Sequence, residues 1–509
     1  MAVQTRTGPT TSTTPVTLIG LLFLALGIGA FALVLSYVVN ALNLRVPDET
    51  FGTSFLRFLN IYGIIVPLIL VGIGYMLIRV GLGVLNRDVT AAAWGRQILL
   101  WLVIAAAVLA VQSISQGLDN TADAFPGLVS GVLALIGGGV LLMGYWWLGN
   151  NMFVFQGDET LTAASSRAAW NLLLPTVILL VLVAARPLEK TFVASLTNER
   201  FASSQAVEFV GLDNYAQLLG VRFDILQCEK DANGACAVDE DGATVYPRPR
   251  DVLDPSYRDL RYRDVATIQL GGSQLMLSAR DRDFVDSVGN TLLFAVLSVT
   301  LELILGLFIA MVINSKFRGR GLMRAAMLVP WAIPTVVSAR LWETMFRDNQ
   351  SGVVNNFFTN VIPVLSHAQA WLANADLQIP ALVAVDVWKT TPFMALILLA
   401  GLQVIPSDVY EAADVDGASK VRQFLVITVP LLRPTIAVAL VFRTLDAIRV
   451  FDVFNVLLGR QKLSMATYNY ETLVNNQQLG YASAIGVVIF IIILIFAVTY
   501  VRILGVNAE

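Results

Sequence analysis

Ten long apolar stretches run through the sequence, and they limit the folds that this chain can adopt more than any other feature. A helix needs about 20 residues to cross the roughly 30 Å hydrocarbon core of a bilayer. Each stretch has that length or nearly so, and together they cover residues 16–39, 61–85, 97–115, 127–149, 171–188, 287–314, 325–345, 380–402, 434–456 and 482–505. The sequence therefore predicts an all-α polytopic membrane protein with about ten transmembrane helices.

The composition agrees with a chain embedded in a lipid bilayer and excludes several kinds of site. Charged residues make up 14% of the 509 residues, whereas a soluble domain is about one quarter charged. The chain has one histidine and two cysteines. This excludes a histidine-rich or cysteine-rich metal centre, so we expect no metal site. A net charge of −3 gives no reason to expect nucleic acid as a partner.

Lysine and arginine are unevenly distributed between the loops, and this bias predicts the side on which each loop lies. If the N-terminus is cytoplasmic, the cytoplasmic segments carry thirteen of these residues and the short outer loops carry five. The segment from Lys316 to Arg324 holds four bases and no acid. Because short loops rich in Lys and Arg stay in the cytoplasm, we expect both termini inside. The first apolar stretch would be an uncleaved anchor, preceded by a disordered tail over residues 1–15.

One segment outside the apolar stretches is long and polar. Residues 186–286 hold 29 of the chain's 71 charged side chains, so we expect a soluble extracytoplasmic domain over residues 189–286. Alternating residues on either side of a Gly-Gly pair (271–272) predict a β-hairpin within it. Both cysteines, Cys228 and Cys236, lie in the same segment. An oxidising compartment would favour a disulfide between them, and two free thiols are the alternative.

The cytoplasmic loop over residues 403–434 carries the most informative local pattern. It contains Glu411-Ala-Ala-Asp-Val-Asp-Gly417-Ala-Ser-Lys-Val-Arg-Gln-Phe-Leu-Val-Ile427-Thr-Val-Pro430. Ser407 and Asp408 are placed to cap a first short helix, and Gly417 permits a sharp turn into a second. A helix–turn–helix at the inner membrane face is suited to docking against a cytoplasmic partner. An ordinary amphipathic connector is the alternative.

Two kinds of catalytic machinery have no support in the sequence. No G-x-x-x-x-G-K-[ST] phosphate loop occurs, so the chain does not hydrolyse ATP with that motif. A Ser–His–Asp triad would have to use His367, which lies beside Ser366 in a predicted outer loop. We expect His367 to be an ordinary solvated loop residue.

The cytoplasmic loop resembles the E-A-A-x-x-x-G-x9-I-x-L-P signature of the inner-membrane permease subunits of type I ABC importers. The residues that match at the signature spacing are Glu411, Ala412, Ala413, Gly417, Ile427 and Pro430. Val429 replaces the usual leucine. The chain is similar to the carbohydrate branch, in particular to the larger membrane subunit of maltose and trehalose importers, over about residues 171–505. The further motifs that carry this resemblance are Gly211–Leu219, Gly289–Phe294, Trp388–Phe393, Ala400–Pro406 and Arg443–Asp452.

The resemblance implies that several chains share the work of moving a sugar. Residues 403–434 would be a coupling loop that seats in a cleft of an ATPase subunit, through Glu411, Ala412, Ala413, Asp416, Gly417, Ile427 and Pro430. ATP and Mg would bind that partner, with no cofactor on this chain. The other implied partners are a second permease subunit, a second ATPase subunit and an extracytoplasmic sugar-binding protein. The implied location is the cytoplasmic membrane of a bacterium or archaeon, where ATP binding would drive alternating access.

Ionisable side chains inside the apolar stretches are costly and are candidates for function. From mid-membrane outward the sequence has Glu302, Asp386, Lys389, Arg443, Asp446, Arg449 and Asp452, with Trp388 beside them. The last four ionisable residues recur at every third position and would form a stripe along the ninth helix. One interpretation is a hydrated sugar pathway, with Arg443 and Asp446 nearest to mid-depth. The other is internal ion pairing that fixes helix register and touches no substrate.

The predicted spans fall into two groups. Residues 16–150 would hold four accessory transmembrane helices, and residues 171–188 and 287–505 would hold the core spans of a permease. Two other functions stay open. One is an ion-gradient-driven secondary transporter, although the sequence shows no internal repeat. The other is a membrane-anchored receptor or scaffold, which leaves the pattern over residues 411–430 unexplained.

Overall fold

The computed structural model divides the chain into two compact units, Met1–Val193 and Ala194–Glu509. The residues that it describes are 14–43, 52–54, 57, 59, 63–119, 124–155, 161–203, 206–231, 236–239, 243–270, 272–315, 317–349 and 351–503. The predicted tail over residues 1–15 lies almost wholly outside the described residues, and Gly271 and Lys316 lie outside them.

Helices make up the first unit in the part of it that the structure describes. They are α1 (Thr14–Asn43), α2 (Ile65–Leu85), α3 (Val89–Asp119), α4 (Ala124–Asn150) and α5 (Leu161–Ser195), which runs to the boundary between the units. The backbones of α1 and α2 approach closely where both carry glycine. A Cβ added to Gly27 would lie 2.9 Å from the carbonyl oxygen of Gly74. Phe23 and Leu99 are fully buried in the core of this unit.

The second unit begins with a small domain built on a three-stranded antiparallel sheet. Its strands are β1 (Val221–Gln227), β2 (Arg263–Leu270) and β3 (Ser273–Ala279), in the order β1-β3-β2, and the short helices α6 (Asp213–Leu218), α7 (Pro249–Val252) and α8 (Pro255–Asp259) accompany them. The β2–β3 hairpin places Leu270 opposite Ser273, where the alternation of residues predicts a turn. A disulfide joins Cys228 and Cys236 just after β1.

The rest of the second unit is helical. Its helices are α9 (Arg282–Asn314), α10 (Arg320–Ala332), α11 (Thr335–Met345), α12 (Val353–Asn356), α13 (Ala375–Val404), α14 (Ser407–Val415), α15 (Lys420–Gln423), α16 (Val429–Ile448), α17 (Asp452–Leu457), α18 (Met465–Tyr470) and α19 (Leu479–Ile503). In the described part of this unit, three five-residue π-helices interrupt or extend them, at Phe357–Val361, Phe424–Thr428 and Glu471–Asn475. The largest buried core includes Phe294 and Phe454, whose rings meet edge to face at 5.4 Å.

Within the described residues, eight helices are long and apolar enough to cross a membrane. The number rises to ten if each of two bent helix pairs counts as one span. The structure is therefore that of a mainly helical polytopic membrane protein with a small sheet. The sequence prediction of about ten spans lies at the upper end of this range.

The predicted span over residues 325–345 is not one straight helix in the structure. The structure has two helices there, α10 and α11, with a bend of 91° between them. Pro334 cannot donate a backbone hydrogen bond, and it disfavours helical geometry at the residue before it. Ile333 is accordingly extended, with φ −73° and ψ 132°. Pro334 thus explains the bend.

The predicted span over residues 434–456 lies within one candidate span, Lys420–Leu457, but its helix is interrupted. Helix α16 ends at Ile448, and Asp452 begins the separate helix α17. No proline or glycine marks this break in the sequence. The hydroxyl of Ser464 donates to the carbonyl oxygen of Val450 at 2.7 Å, so a backbone group that the break frees finds a partner from a later segment.

We expect Cys228 and Cys236 to be disulfide-bonded in the protein isolated from its membrane. Trypsin cleaves after Lys230, which lies between the two cysteines. The peptides on either side of Lys230 should therefore stay linked until a reductant is added, and mass spectrometry of digests with and without reduction measures this. Free thiols at both positions, trapped by an alkylating agent during isolation, would contradict the pairing.

Candidate functional site

A buried arginine joins three helices of the second unit. Arg443 of α16 donates to Glu302 of α9, from Nη2 to Oε1 at 2.8 Å and from Nε to Oε2. Its Nη2 also donates to Oδ2 of Asp386 on α13. The exposed fraction is 3% for Arg443, 0% for Glu302 and 7% for Asp386. The two carboxylates and the guanidinium are therefore shielded from the surroundings and depend on one another.

Neighbouring hydroxyls satisfy the carboxylate oxygens further. Ser298 donates to Oδ2 of Asp386 at 2.8 Å, and Thr390 donates to Oε1 of Glu302. A buried ion pair is tolerated only when its remaining hydrogen-bonding capacity is met in this way, and removing one partner costs about 3–5 kcal/mol. We call Glu302, Asp386 and Arg443 the buried charge cluster.

Asp446 extends from this cluster to an accessible surface. Nη1 of Arg443 lies 2.9 Å from Oδ2 of Asp446, whose side chain is 65% exposed. Arg449 lies 3.9 Å from the other oxygen of Asp446 and is also exposed. The structure thus separates the two residues that the sequence places nearest to mid-depth. Arg443 is an internal partner of two carboxylates, whereas the side chain of Asp446 is exposed.

Lys389 lies at the bend between α10 and α11 rather than in the buried charge cluster. Its ammonium group donates to the carbonyl oxygens of Trp331, at 3.3 Å, and of Ile333. The last carbonyl groups of a helix have no partner within the helix and attract a cation. Lys389 of α13 therefore stabilises the open end of α10. The neighbouring Trp388 is partly exposed and meets Trp342 edge to face at 5.7 Å.

The four charged residues that the sequence places on the ninth helix do not share one helix in the structure. Arg443, Asp446 and Arg449 share α16, but Asp452 lies in the first turn of α17. An acidic residue in the first turn of a helix is stabilised by the helix dipole. The predicted stripe of four alternating charges is therefore interrupted after Arg449, and Asp452 belongs to the next helix.

The loop over residues 403–434 forms two short helices with a tight turn between them. Helix α14 holds Glu411, Ala412 and Ala413, and Gly417 follows it with φ +73°. Only Ala413 of the three is buried, so the other two face outward. No atom lies within 4 Å of a Cβ built on Gly417. Glycine is therefore favoured there by its backbone conformation and not by crowding.

The other predicted members of the loop lie on either side of this turn. Asp416 is exposed and directly follows α14. Ile427 lies in the π-helix Phe424–Thr428, and Pro430 occupies the first turn of α16, where its missing N–H has no helical partner to lose. The prediction that Ser407 or Asp408 caps α14 is wrong, because the residue at the cap is Pro406 and no side chain accepts a hydrogen bond there.

A group of hydrogen bonds that spans the turn was not evident from the sequence pattern. The carboxylate of Asp414 accepts hydrogen bonds from Lys420, at 2.7 and 3.0 Å, and from the amide of Gln423. The hydrogen bonds from Lys420 and Gln423 lower the pKa of Asp414. This contribution to the fold is present above the usual aspartate pKa and is lost as the pH falls through the lowered one. The hydroxyls of Tyr410 and Thr428 add a contact at 2.9 Å.

Two further expectations concern groups outside these sites. His367 is exposed on its loop, and its Nδ1 lies 3.0 Å from the hydroxyl of the adjacent Ser366. Across the described residues, no group of three or more His, Cys, Asp or Glu side chains is arranged to hold a metal ion.

We expect Arg443→Ala to destabilise the protein by about 3–5 kcal/mol, because it leaves Glu302 and Asp386 buried without a countercharge. Asp446→Asn is the matched control: its side chain is exposed, so it should cost at most about 1 kcal/mol. Thermal unfolding of the purified variants in detergent measures both effects.

A variant that removes all three charges of the buried charge cluster tests the same assignment in the opposite direction. Combining Arg443→Met with Glu302→Gln and Asp386→Asn removes the charges together, so this triple variant should be more stable than Arg443→Ala alone. Equal destabilisation by Arg443→Ala and Asp446→Asn, or no recovery in the triple variant, would contradict the assignment of Arg443 as the centre of the cluster.

Comparison with known proteins places these features in a family. Residues 302–505 match the profile of the binding-protein-dependent transport system inner membrane component. The trehalose/maltose transport system permease protein MalF of Thermococcus litoralis is 44% identical over 234 residues, which are 45% of this chain and 76% of that protein. The trehalose transport system permease protein SugA of Mycobacterium tuberculosis is 38% identical over 250 residues, which are 48% of this chain and 77% of that protein.

A solved structure covers a longer part of the chain at lower similarity. It is a bacterial ABC transporter involved in the import of the acidic polysaccharide alginate, with 19% identity and a TM-score of 0.47 over 68% of this chain and 98% of that one. The curated relatives decide the assignment, since this chain covers about three quarters of their length at well over 30% identity. The chain belongs to the family of binding-protein-dependent inner-membrane transport components, the permease subunits of ABC transporters.

Proposed function

We propose that this chain is the permease subunit of an ATP-driven importer that carries a sugar, a disaccharide or oligosaccharide, across the cytoplasmic membrane by alternating access. Two observations support the choice of substrate class. Two of the relatives that match over about three quarters of their length are permeases of trehalose or trehalose/maltose transport systems. The accessible polar side chains around Asp446 are of the kind that bind hydroxyl groups.

The geometry of the cytoplasmic loop is the observation that carries the proposal. Glu411 and Ala412 are exposed on α14, while Asp414, Lys420 and Gln423 hold the turn in one shape. A rigid, outward-facing helix pair is suited to transmit a movement of a bound partner to the rest of the chain. Exposed apolar side chains surround it: Val404, Val415, Val421, Leu425 and Val426. Such a patch indicates a protein contact, and an ATPase subunit that holds ATP and Mg is the partner we propose for it.

The intramembrane residues divide between structure and transport in this proposal. Glu302, Asp386 and Arg443 hold α9, α13 and α16 together, and Lys389 holds the bend at α10. Asp446, Arg449 and Trp388 are the accessible members. We propose that these three meet the sugar, because carboxylate and guanidinium groups bind hydroxyls and an indole ring packs on the face of a sugar ring.

The remaining parts of the assembly follow from the same proposal. Both termini and the loop over residues 403–434 would be cytoplasmic, and residues 189–286 would form a domain on the outer side. The partners would be a second permease subunit, two ATPase subunits and an extracytoplasmic sugar-binding protein. The four helices before residue 150 would be accessory to the core spans at 171–188 and 287–505.

We expect the purified chain alone to hydrolyse no ATP and the complex with its ATPase subunits to hydrolyse it. The sequence lacks the phosphate-binding loop that this reaction uses. An affinity-tagged chain should co-purify an ATPase subunit, and proteoliposomes holding the complex and a binding protein should take up labelled disaccharides only with ATP. Uptake that follows an ion gradient without ATP would instead identify a secondary transporter.

We expect Gly417→Val to reduce both sugar uptake and ATPase retention, because a β-branched residue at positive φ costs about 1–2 kcal/mol or more. Gly417→Asn is the matched control, since asparagine tolerates this conformation and the space around the position is open. Uptake and ATPase retention on a pull-down are measured for both variants. Normal values for Gly417→Val would contradict the role of the turn.

A further inference from the structure

Asp281 lies at the junction between the small domain and the long helices of the second unit. Strand β3 ends at Ala279 and α9 begins at Arg282, so only Arg280 and Asp281 separate the sheet from the helix. The carboxylate of Asp281 accepts a hydrogen bond from the backbone N–H of Phe284 at 3.0 Å. A carboxylate in this position caps the first turn of a helix. Asp281 therefore fixes the direction in which α9 leaves the sheet.

Two tyrosine hydroxyls from later helices bind the same carboxylate. Tyr468 of α18 donates to Oδ2 of Asp281 at 2.7 Å, and Tyr481 of α19 donates to the same oxygen. Asp281 is 8% exposed, and hydrogen bonds to an ionised group are about twice as strong as those between neutral groups. One carboxylate thus joins the first turns of α9 and α19 to α18, at the point where the small domain ends.

A hydrophobic cluster packs the small domain against the same helices. Leu218 of α6 is fully buried, and it lies in one cluster with Phe284 of α9 and with Tyr481 and Ile485 of α19. Helix α6 belongs to the small domain, whereas α9 and α19 are candidate membrane spans. A domain that moves independently has a hydrophobic core of its own. Here part of the core is shared between the small domain and the two spans.

The segment that enters the small domain is bound at the same place. The backbone N–H of Phe201 donates to the carbonyl oxygen of Gln477 at 2.8 Å, and the N–H of Gly480 donates to that of Glu199 at 2.8 Å. Gln477 and Gly480 lie directly before and within the start of α19. The chain is therefore held beside α19 both where it enters the small domain and where it leaves it.

These contacts distinguish the small domain from a flexibly tethered module. Motion between domains is the default expectation unless the interface between them is apolar and well packed. Every contact described above lies within the second unit. A displacement of the small domain relative to α9 would deprive the Asp281 carboxylate of two hydroxyl donors and would expose Leu218, and both changes are unfavourable.

We propose that Asp281 is a positioning residue that makes the small domain and the first turns of α9 and α19 one rigid body, and that transport requires this body to move as a unit. The rigid body follows from the contacts in this chain alone. The transport requirement rests on the proposed function.

Distances between spin labels on the purified chain test the rigid body directly. Both cysteines of the sequence form the disulfide, so labels attach only to introduced cysteines. The pair Gln269→Cys and Asp376→Cys spans the small domain and α13, which the buried charge cluster joins to α9. The reference pair Arg282→Cys and Asp376→Cys lies on the helices alone, and all three positions are exposed. The two distance distributions should be equally narrow. A much broader distribution for the first pair would overturn the proposal.

Removing the two hydroxyls tests the part played by Asp281. Tyr468→Phe combined with Tyr481→Phe leaves the cap of α9 in place, but it should broaden the distribution between positions 269 and 376. Amides over residues 279–288 should exchange about tenfold faster, the equivalent of one hydrogen bond to a charged group. Tyr470→Phe is the matched control on α18, because its ring is 43% exposed and packs on Phe451.

The linked peptides around Lys230 should persist in each variant, which shows that the small domain is still folded. A distance distribution that stays narrow in the double tyrosine variant would overturn the role of Asp281.

Uptake by the assembled complex measures the transport requirement. The double tyrosine variant should retain the ATPase subunit but take up labelled disaccharide on the order of tenfold more slowly, whereas Tyr470→Phe should behave like the wild type. Unchanged uptake by the double variant, with its broadened distances, would overturn the requirement for a rigid body. A wild-type complex that takes up no sugar with ATP would overturn the proposed function, and the distances in the purified chain would still decide whether the rigid body exists.

Discussion

The guanidinium of Arg443, held between Glu302 and Asp386, is the interaction on which the helical part of the second unit depends. It joins α9, α13 and α16, which are far apart in the sequence. Neither lipid nor an apolar core can solvate these charges, so each is stable only while the other two are in place. This requirement fixes the relative positions of three helices and leaves Asp446 as the accessible carboxylate on their surface.

Much of the fold could be predicted because a bilayer restricts a chain so strongly. Apolar length alone predicts the long helices, and alternation around a glycine pair predicts the β2–β3 hairpin. The bend between α10 and α11 is encoded by Pro334, although a count of apolar residues overlooks it. The break after Ile448 could not be predicted, because its freed carbonyl group is satisfied by Ser464, a residue that only the folded chain brings near.

The candidate sites, like the fold, could be predicted only in part. The sequence identifies which charges lie in apolar stretches, but pairing depends on the packing of separate helices. Arg443 and Asp446 are neighbours on one helix, yet their surroundings differ in burial. Lys389 bonds to backbone carbonyl oxygens, which no residue pattern reveals. In the loop over residues 403–434, the glycine of the signature predicts the turn at Gly417, whereas the hydrogen bonds from Lys420 and Gln423 to Asp414 could be seen only in the folded chain.

The position of Lys389 has a mechanical consequence. Its side chain belongs to α13, but its ammonium group completes the end of α10, so the bend and α13 behave as parts of one body. A displacement of α13 that left α10 behind would leave the buried ammonium group of Lys389 and two carbonyl groups without these hydrogen bonds. Any cycle of conformations in this protein therefore has to move the bend and α13 together, and the hinges must lie elsewhere.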